Sequence, residues 1–151
     1  MRKEKNITTT TTTLTSASNN NNNNIKKISR LFLVDDEPDI ISIVKTNLER
    51  THEFEIDAFV DPITALQNFK SSFYDLLLLD IRMQHMDGFE LYNNIKKLDD
   101  KTKVCFFSAS EIPAEKYKEF IPEIKENKKF HFIQKPISMH NMLENIRSIL
   151  T

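Results

Sequence analysis

Apolar residues come along this chain in short blocks of two alternating kinds. Ile28 to Val34 is a run of the first kind, too short for an ordinary helix and closed by Asp35-Asp36-Glu37-Pro38-Asp39. It predicts a first strand. Ile40, Ile41, Val44 and Leu48 then recur at helical spacing, with Pro38 at a first-turn position where its missing N–H costs little. Glu53 to Phe59 alternates polar and apolar and predicts a half-exposed second strand. Asp61-Pro62 reads as the N-cap and first position of a second helix, with Ile63, Leu66, Phe69 and Ala65 as its apolar stripe. Leu76 to Leu79 are four leucines ending at Asp80, the pattern of a strand buried on both faces. Asp87-Gly88 opens a third helix through Phe89, Leu91, Tyr92, Ile95 and Leu98. Lys103 to Phe107 is a fourth strand, ending in Ser108-Ala109-Ser110. A fourth helix is expected from Pro113 through Tyr117, Phe120 and Ile124, kinked or cut short by Pro122. Phe130 to Ile133 is a fifth strand ending at Lys135-Pro136. Ser138 caps a last helix bearing Met142, Leu143, Ile146, Ile149 and Leu150.

Five strands alternating with five helices predict an α/β fold, a doubly wound parallel sheet with helices on both faces. A flavodoxin-like order, 2-1-3-4-5, puts the first and third strands on either side of the switch point where ligands collect. Residues 8 to 24 are threonine and asparagine runs without the apolar content that offsets the entropy of ordering. The expected organisation is therefore a disordered tail over 1–25 and one domain over 26–151.

Charge narrows the partners. Residues 1 to 29 carry five basic residues against Glu4 alone, which leaves 16 basic and 21 acidic residues in the rest. An acidic domain gives no support for nucleic-acid binding. No stretch approaches a membrane span or a signal peptide's apolar region. The single cysteine, Cys105, falls within a strand and reads as buried and inert. His85, His131 and His140 lack ligand spacing.

The polar residues that close the strands define the chemistry. Strand one delivers Asp35 and Asp36, strand three Asp80, strand four Ser108 and strand five Lys135. Each has a bland reading alone: a helix cap, a turn residue, an ordinary surface group. Together they bring three carboxylates, a hydroxyl and an ammonium to one sheet edge. Clustered carboxylates repel and raise one another's pKa, and a divalent cation relieves this. Carboxylate oxygens and water are the ligands Mg²⁺ prefers. An ionised carboxylate can attack phosphorus without a general base, while Mg²⁺, Lys135 and Ser108 stabilise the phosphoryl oxygens.

Over about residues 28 to 150 the chain resembles the receiver domain of two-component response regulators. The resemblance is carried by Leu33-Val34-Asp35-Asp36-Glu37, Leu78-Leu79-Asp80 with Met86-Asp87-Gly88, Phe107-Ser108-Ala109 and Gln134-Lys135-Pro136. It implies that Asp80 is the phosphorylation site and that Asp36 and Asp80 bind Mg²⁺ directly. Asp35 then acts through water, and the Arg82 carbonyl completes the protein ligands. Ser108 and Lys135 bind the phosphoryl group, and Phe132 is the aromatic switch. It further implies a sensor histidine kinase or phosphotransfer protein as donor, a downstream protein partner, and a cytoplasmic location. A phosphorylation-dependent homodimer is left open. With no further domain after Thr151, the expectation is a stand-alone receiver that signals through protein contacts and not through an attached DNA-binding domain, and the resemblance implies a phosphoacceptor and not an enzyme.

Three features depart from the family pattern. Gln84 stands where proline is common, Glu126-Asn127-Lys128-Lys129 replaces a usual glycine before the fifth strand, and the stretch from Ser108 to Lys135 is long. Two other functions compete. An aspartyl-phosphate phosphohydrolase needs a second carboxylate two residues after the nucleophile, where Arg82 stands. A phosphorylation-independent binding module has no need of intact Asp36, Asp80, Ser108 and Lys135.

Overall fold

The computed structural model describes residues 26–109, 114–125 and 127–151. Its elements follow the alternation in the sequence: β1 (Ser29–Val34), α1 (Pro38–Glu49), β2 (Phe54–Phe59), α2 (Pro62–Gln67), β3 (Leu76–Leu79), α3 (Gly88–Lys96), β4 (Lys103–Ser108), α4 (Ala114–Phe120), β5 (Phe130–Gln134) and α5 (Met139–Leu150). A 3-10 turn, Pro122–Lys125, follows α4. The helix stops before Pro122, as a missing N–H and a ring clash demand. The sheet is five-stranded and parallel in the order β2-β1-β3-β4-β5. The tail read over 1–25, Ser110 and the helix start at Pro113 lie outside the described residues.

Strand periodicity divides the core. Leu76 and Leu78 face the cluster formed with Val44, Leu48, Met142 and Ile146 of α1 and α5. Leu77 and Leu79 face the opposite cluster, with Ala65, Phe89, Tyr92 and Ile95 of α2 and α3. All four leucines are fully buried, each contributing about 1.5–3 kcal/mol of transfer free energy. An unbroken leucine run is what a strand with apolar helices on both faces requires.

Local chemistry sets the helix starts. The Asp61 side chain accepts from the Thr64 N–H, and the Ser138 side chain from the Asn141 N–H. Asp87 and Glu90 form a capping box at the start of α3. Gly88, the only glycine, is needed for close approach. A Cβ there would collide with the carbonyl oxygen of Asp80 and come within 3.0 Å of Ile81 Cα. The Gly88 N–H donates to the Ile81 carbonyl at 2.8 Å. The start of α3 therefore packs directly on the backbone that carries Asp80.

Several expected core positions differ, the exposed Phe120 of α4 among them. Ile63 is exposed, because α2 is only six residues long and turns Ala65 inward instead. Leu98 is exposed because α3 ends at Lys96 and the chain turns out after it. Ile28 is exposed one residue before β1.

Candidate functional site

Register brings the site together. Val34 lies opposite Leu79 in the β1–β3 pair, so Asp35 and Asp80 emerge side by side. The Asp80 N–H donates to the Val34 carbonyl at 2.9 Å, extending the ladder by one bond. Ser108 closes β4 opposite Gln134, and the Lys135 N–H donates to the Ser108 carbonyl at 3.0 Å. Asp35, Asp80 and Ser108 are all buried. Asp36 is half-buried beside them.

Lys135 is the cation of the group. Its Nζ lies 2.5 Å from Asp35 Oδ2, 3.6 Å from Glu37 Oε1 and 3.9 Å from Asp80 Oδ1. It also sits 4.7 Å above the centre of the Phe107 ring. Asp35 Oδ1 accepts from the Glu37 N–H at 2.9 Å. Glu37, not either aspartate, is the N-cap residue of α1, and its side chain makes no cap bond. The helix-cap reading of Asp35-Asp36 thus keeps only this one backbone contact.

The electrostatics follow from burial. Desolvation pushes the Asp80 carboxyl up to about 6. The Lys135 ammonium, a hydrogen bond from Ser108 and the Ile81 N–H pull it down, and the Asp35 charge pushes it up. Asp35 is raised too, because its burial outweighs the Lys135 ion pair. One ammonium among these acids leaves a deficit of positive charge. Oxygen atoms of Asp35, Asp36 and Asp80 lie within 4.8 Å of one another. Three carboxylates at this separation, two of them buried, fit a hard divalent cation such as Mg²⁺.

Arg82 is exposed in the β3–α3 loop, two residues past Asp80. His85 is exposed in the same loop. A cleft of about 350 Å³ beside Asp36 is lined by Val60, Asp61, Pro62, Gln84 and His85. Phe132 is 41% exposed on β5, stacked 4.2 Å from the ring of Tyr117 and 5.5 Å from Phe106. Cys105 is fully buried, which pushes its thiol up to about 12 and leaves it inert. Two contacts are not legible in the sequence: the Glu37 approach to Lys135, and the Gln84 N–H, which donates to Asp36 Oδ2 at 3.3 Å. Backbone donors carry no residue signature.

A parallel sheet of this order with buried acids and a lysine at its carboxyl edge defines a class. Residues 31–147 match the family model of the response regulator receiver domain, and the chain belongs to that family. Its members act in two-component signalling as phosphoryl acceptors rather than turnover enzymes, typically bind Mg²⁺ at an acidic pocket, and interact with histidine kinases or phosphotransfer proteins. The heme response regulator HssR of Staphylococcus aureus strain MRSA252 is 30% identical over 120 residues, covering 78% of this chain and 50% of that protein. The chain spans about half the length of the curated relatives it matches. Among solved structures, a CheY-like response regulator receiver domain protein from Methanospirillum hungatei JF-1 is 25% identical, with a TM-score of 0.69 over 82% of this chain and 94% of that one. The chemotaxis protein CheY4 of Vibrio cholerae shares the fold at 21% identity and a TM-score of 0.66, over 82% of this chain and 99% of its own. No helix among the described residues is long and apolar enough to cross a membrane.

Proposed function

We propose that Asp80 accepts a phosphoryl group in a Mg²⁺-dependent reaction, from a sensor histidine kinase or a phosphotransfer protein, and that the phosphorylated form signals through altered protein contacts. The observation that carries this reading is the convergence on Asp80. It is buried, acid oxygens of Asp35 and Asp36 lie within 4.8 Å of its own, and the Lys135 ammonium is 3.9 Å away.

In the proposed step a carboxylate oxygen of Asp80 attacks phosphorus. The bond from phosphorus to the donor breaks, the donor leaves with that electron pair, and an acyl phosphate remains. Lys135 exchanges carboxylate contacts for the incoming phosphoryl oxygens, and the Ser108 hydroxyl donates to them. Asp35, Asp36 and Asp80, with the Arg82 carbonyl, would hold the cation. When bound, Mg²⁺ supplies positive charge where phosphoryl charge develops. Movement of Ser108 toward the phosphate frees Phe132 to turn inward, which changes the face it shares with Tyr117. The exposed stack of Phe132 on Tyr117 supports that part of the reading. The chain is the acceptor and turns over no external phosphate ester, and the reading places it in the cytoplasm.

The test is intact mass after incubation with acetyl phosphate and Mg²⁺. One phosphoryl group is expected on the wild type, and none on Asp80→Asn or in the presence of chelator. Mg²⁺ binding without any mass gain would refute Asp80 as acceptor. Absence of both would favour a phosphorylation-independent binding module.

A further inference from the structure

We propose that the backbone N–H of Gln84 is a positioning group for Asp36, holding its carboxylate ready for a divalent cation. This inference rests on reading Asp35, Asp36 and Asp80 as a Mg²⁺ site.

Gln84 is held at both ends of its backbone. Its N–H donates to Asp36 Oδ2 at 3.3 Å. Its carbonyl accepts from the Met86 N–H at 2.8 Å. The second bond closes a three-residue turn around His85, whose φ is 69°. A γ-turn with a positive central φ is the rare and strained form, and a non-glycine residue persists in it only where the surroundings hold it. The Gln84–Asp36 bond is part of those surroundings. Loop and carboxylate therefore constrain each other.

Asp36 is the acid that needs such help. Asp35 is fixed by Lys135 and the Glu37 N–H, and Asp80 by burial and Ser108. Asp36 is only half-buried, at the edge of an open cleft. Among the described residues its hydrogen-bond donor is the Gln84 N–H. With Oδ2 held there, the second oxygen is left for a cation. Without the bond, the side chain can rotate into the cleft and the cation must gather it at an entropic cost.

The residue type matters through its backbone. Proline, common at this place in the family, has no N–H and cannot make the bond. Gln84 exchanges the rigidity of the ring for a direct tie to Asp36. The Gln84 side chain is exposed and takes no part.

The test is Mg²⁺ affinity by titration calorimetry on the full chain and two variants. Gln84→Ala keeps the N–H, and its Kd should equal that of the wild type. Gln84→Pro removes it, and binding should weaken about two- to tenfold, the effect of one modest hydrogen bond. Unchanged or tighter binding by Gln84→Pro, or an equal loss in both variants, overturns the proposal. Amide exchange in the metal-free protein gives a readout that needs no proline variant. The Gln84 amide should exchange slowly in the wild type and at an exposed-amide rate in Asp36→Ala. Fast exchange in the wild type overturns the proposal even if Gln84→Pro does not fold. Wild-type protein that binds no Mg²⁺ overturns the metal-site reading and this inference with it. Wild-type binding with an unaffected proline variant overturns the inference alone.

Discussion

Asp80 is ionised at neutral pH against the preference of its surroundings. Its carboxyl sits at about 6 in the fold against 3.8 for a free aspartate, chiefly because burial disfavours the charged form. Below pH 4 the group is protonated in both folded and unfolded chains and has no differential effect. Between pH 4 and 6 the folded state binds the extra proton, so stability falls as pH rises through that window. Above about 6 the full cost applies. Asn cannot ionise, so Asp80→Asn should make the metal-free protein more stable at pH 7, by about 1–3 kcal/mol. That advantage should vanish toward pH 4. Urea unfolding of both proteins at pH 4, 5, 6 and 7 measures it. An advantage of the same size at every pH would mean that packing, not charge, separates the two. An acid proposed to hold a cation and accept a phosphoryl group has reason to carry such a cost, since the cation supplies the positive charge that the fold withholds.

Elements carry a second layer of design. β2 is an outer strand, and an open edge invites pairing with another chain. α1 covers part of that edge with an i, i+4 pair. Lys45 Nζ donates to the Ile56 carbonyl at 2.5 Å, and Glu49 Oε1 accepts the Ile56 N–H at 3.3 Å. The backbone N–H and C=O of one edge residue are thereby both occupied. Lys45→Ala with Glu49→Ala should free them and shift the protein toward self-association, read as a concentration-dependent rise in sedimentation coefficient that the wild type lacks. A double variant that stays monomeric at the same concentrations would show the pair to be incidental. The elements themselves were legible in the sequence because leucine runs and helical stripes are bounded by polar residues that also close the strands. Asp35, Asp36, Asp80, Ser108 and Lys135 are legible as one cluster because each follows or closes a strand of a single parallel sheet. Side-chain facing was less legible where elements are short. Ile63, Leu66 and Phe69 form a stripe only on a longer helix than α2, and the chain leaves helical geometry at Asn68. The tie from Gln84 to Asp36 was illegible for another reason: any residue but proline offers that N–H, and only the fold aims it.

At the scale of the molecule, the site is one of the places where distant parts of the chain are joined by charge. Lys135 and Asp35 are 100 residues apart in sequence and make its shortest ion pair. Asp35 and Asp36 follow β1, while Asp80 follows β3, the strand that divides the two cores. A cation shared by these acids bonds to the folded chain and finds no such cluster in the unfolded one. Binding to one state alone stabilises it by RT ln(1 + [L]/Kd), about 2.7 kcal/mol at a hundredfold excess over Kd. For a domain of this size that corresponds to a rise in melting temperature on the order of 10 °C. Melting curves over a Mg²⁺ series should therefore climb with the logarithm of concentration once Kd is passed. General screening predicts a different pattern, because any salt reduces the repulsion within the domain's acidic excess. NaCl at matched ionic strength should reproduce little of the rise, and Asp80→Asn should lose most of it while starting from a higher melting temperature at pH 7. Equal rises in the variant and the wild type, or equal rises in NaCl and Mg²⁺, would assign the effect to screening and leave the three acids without a cation to hold.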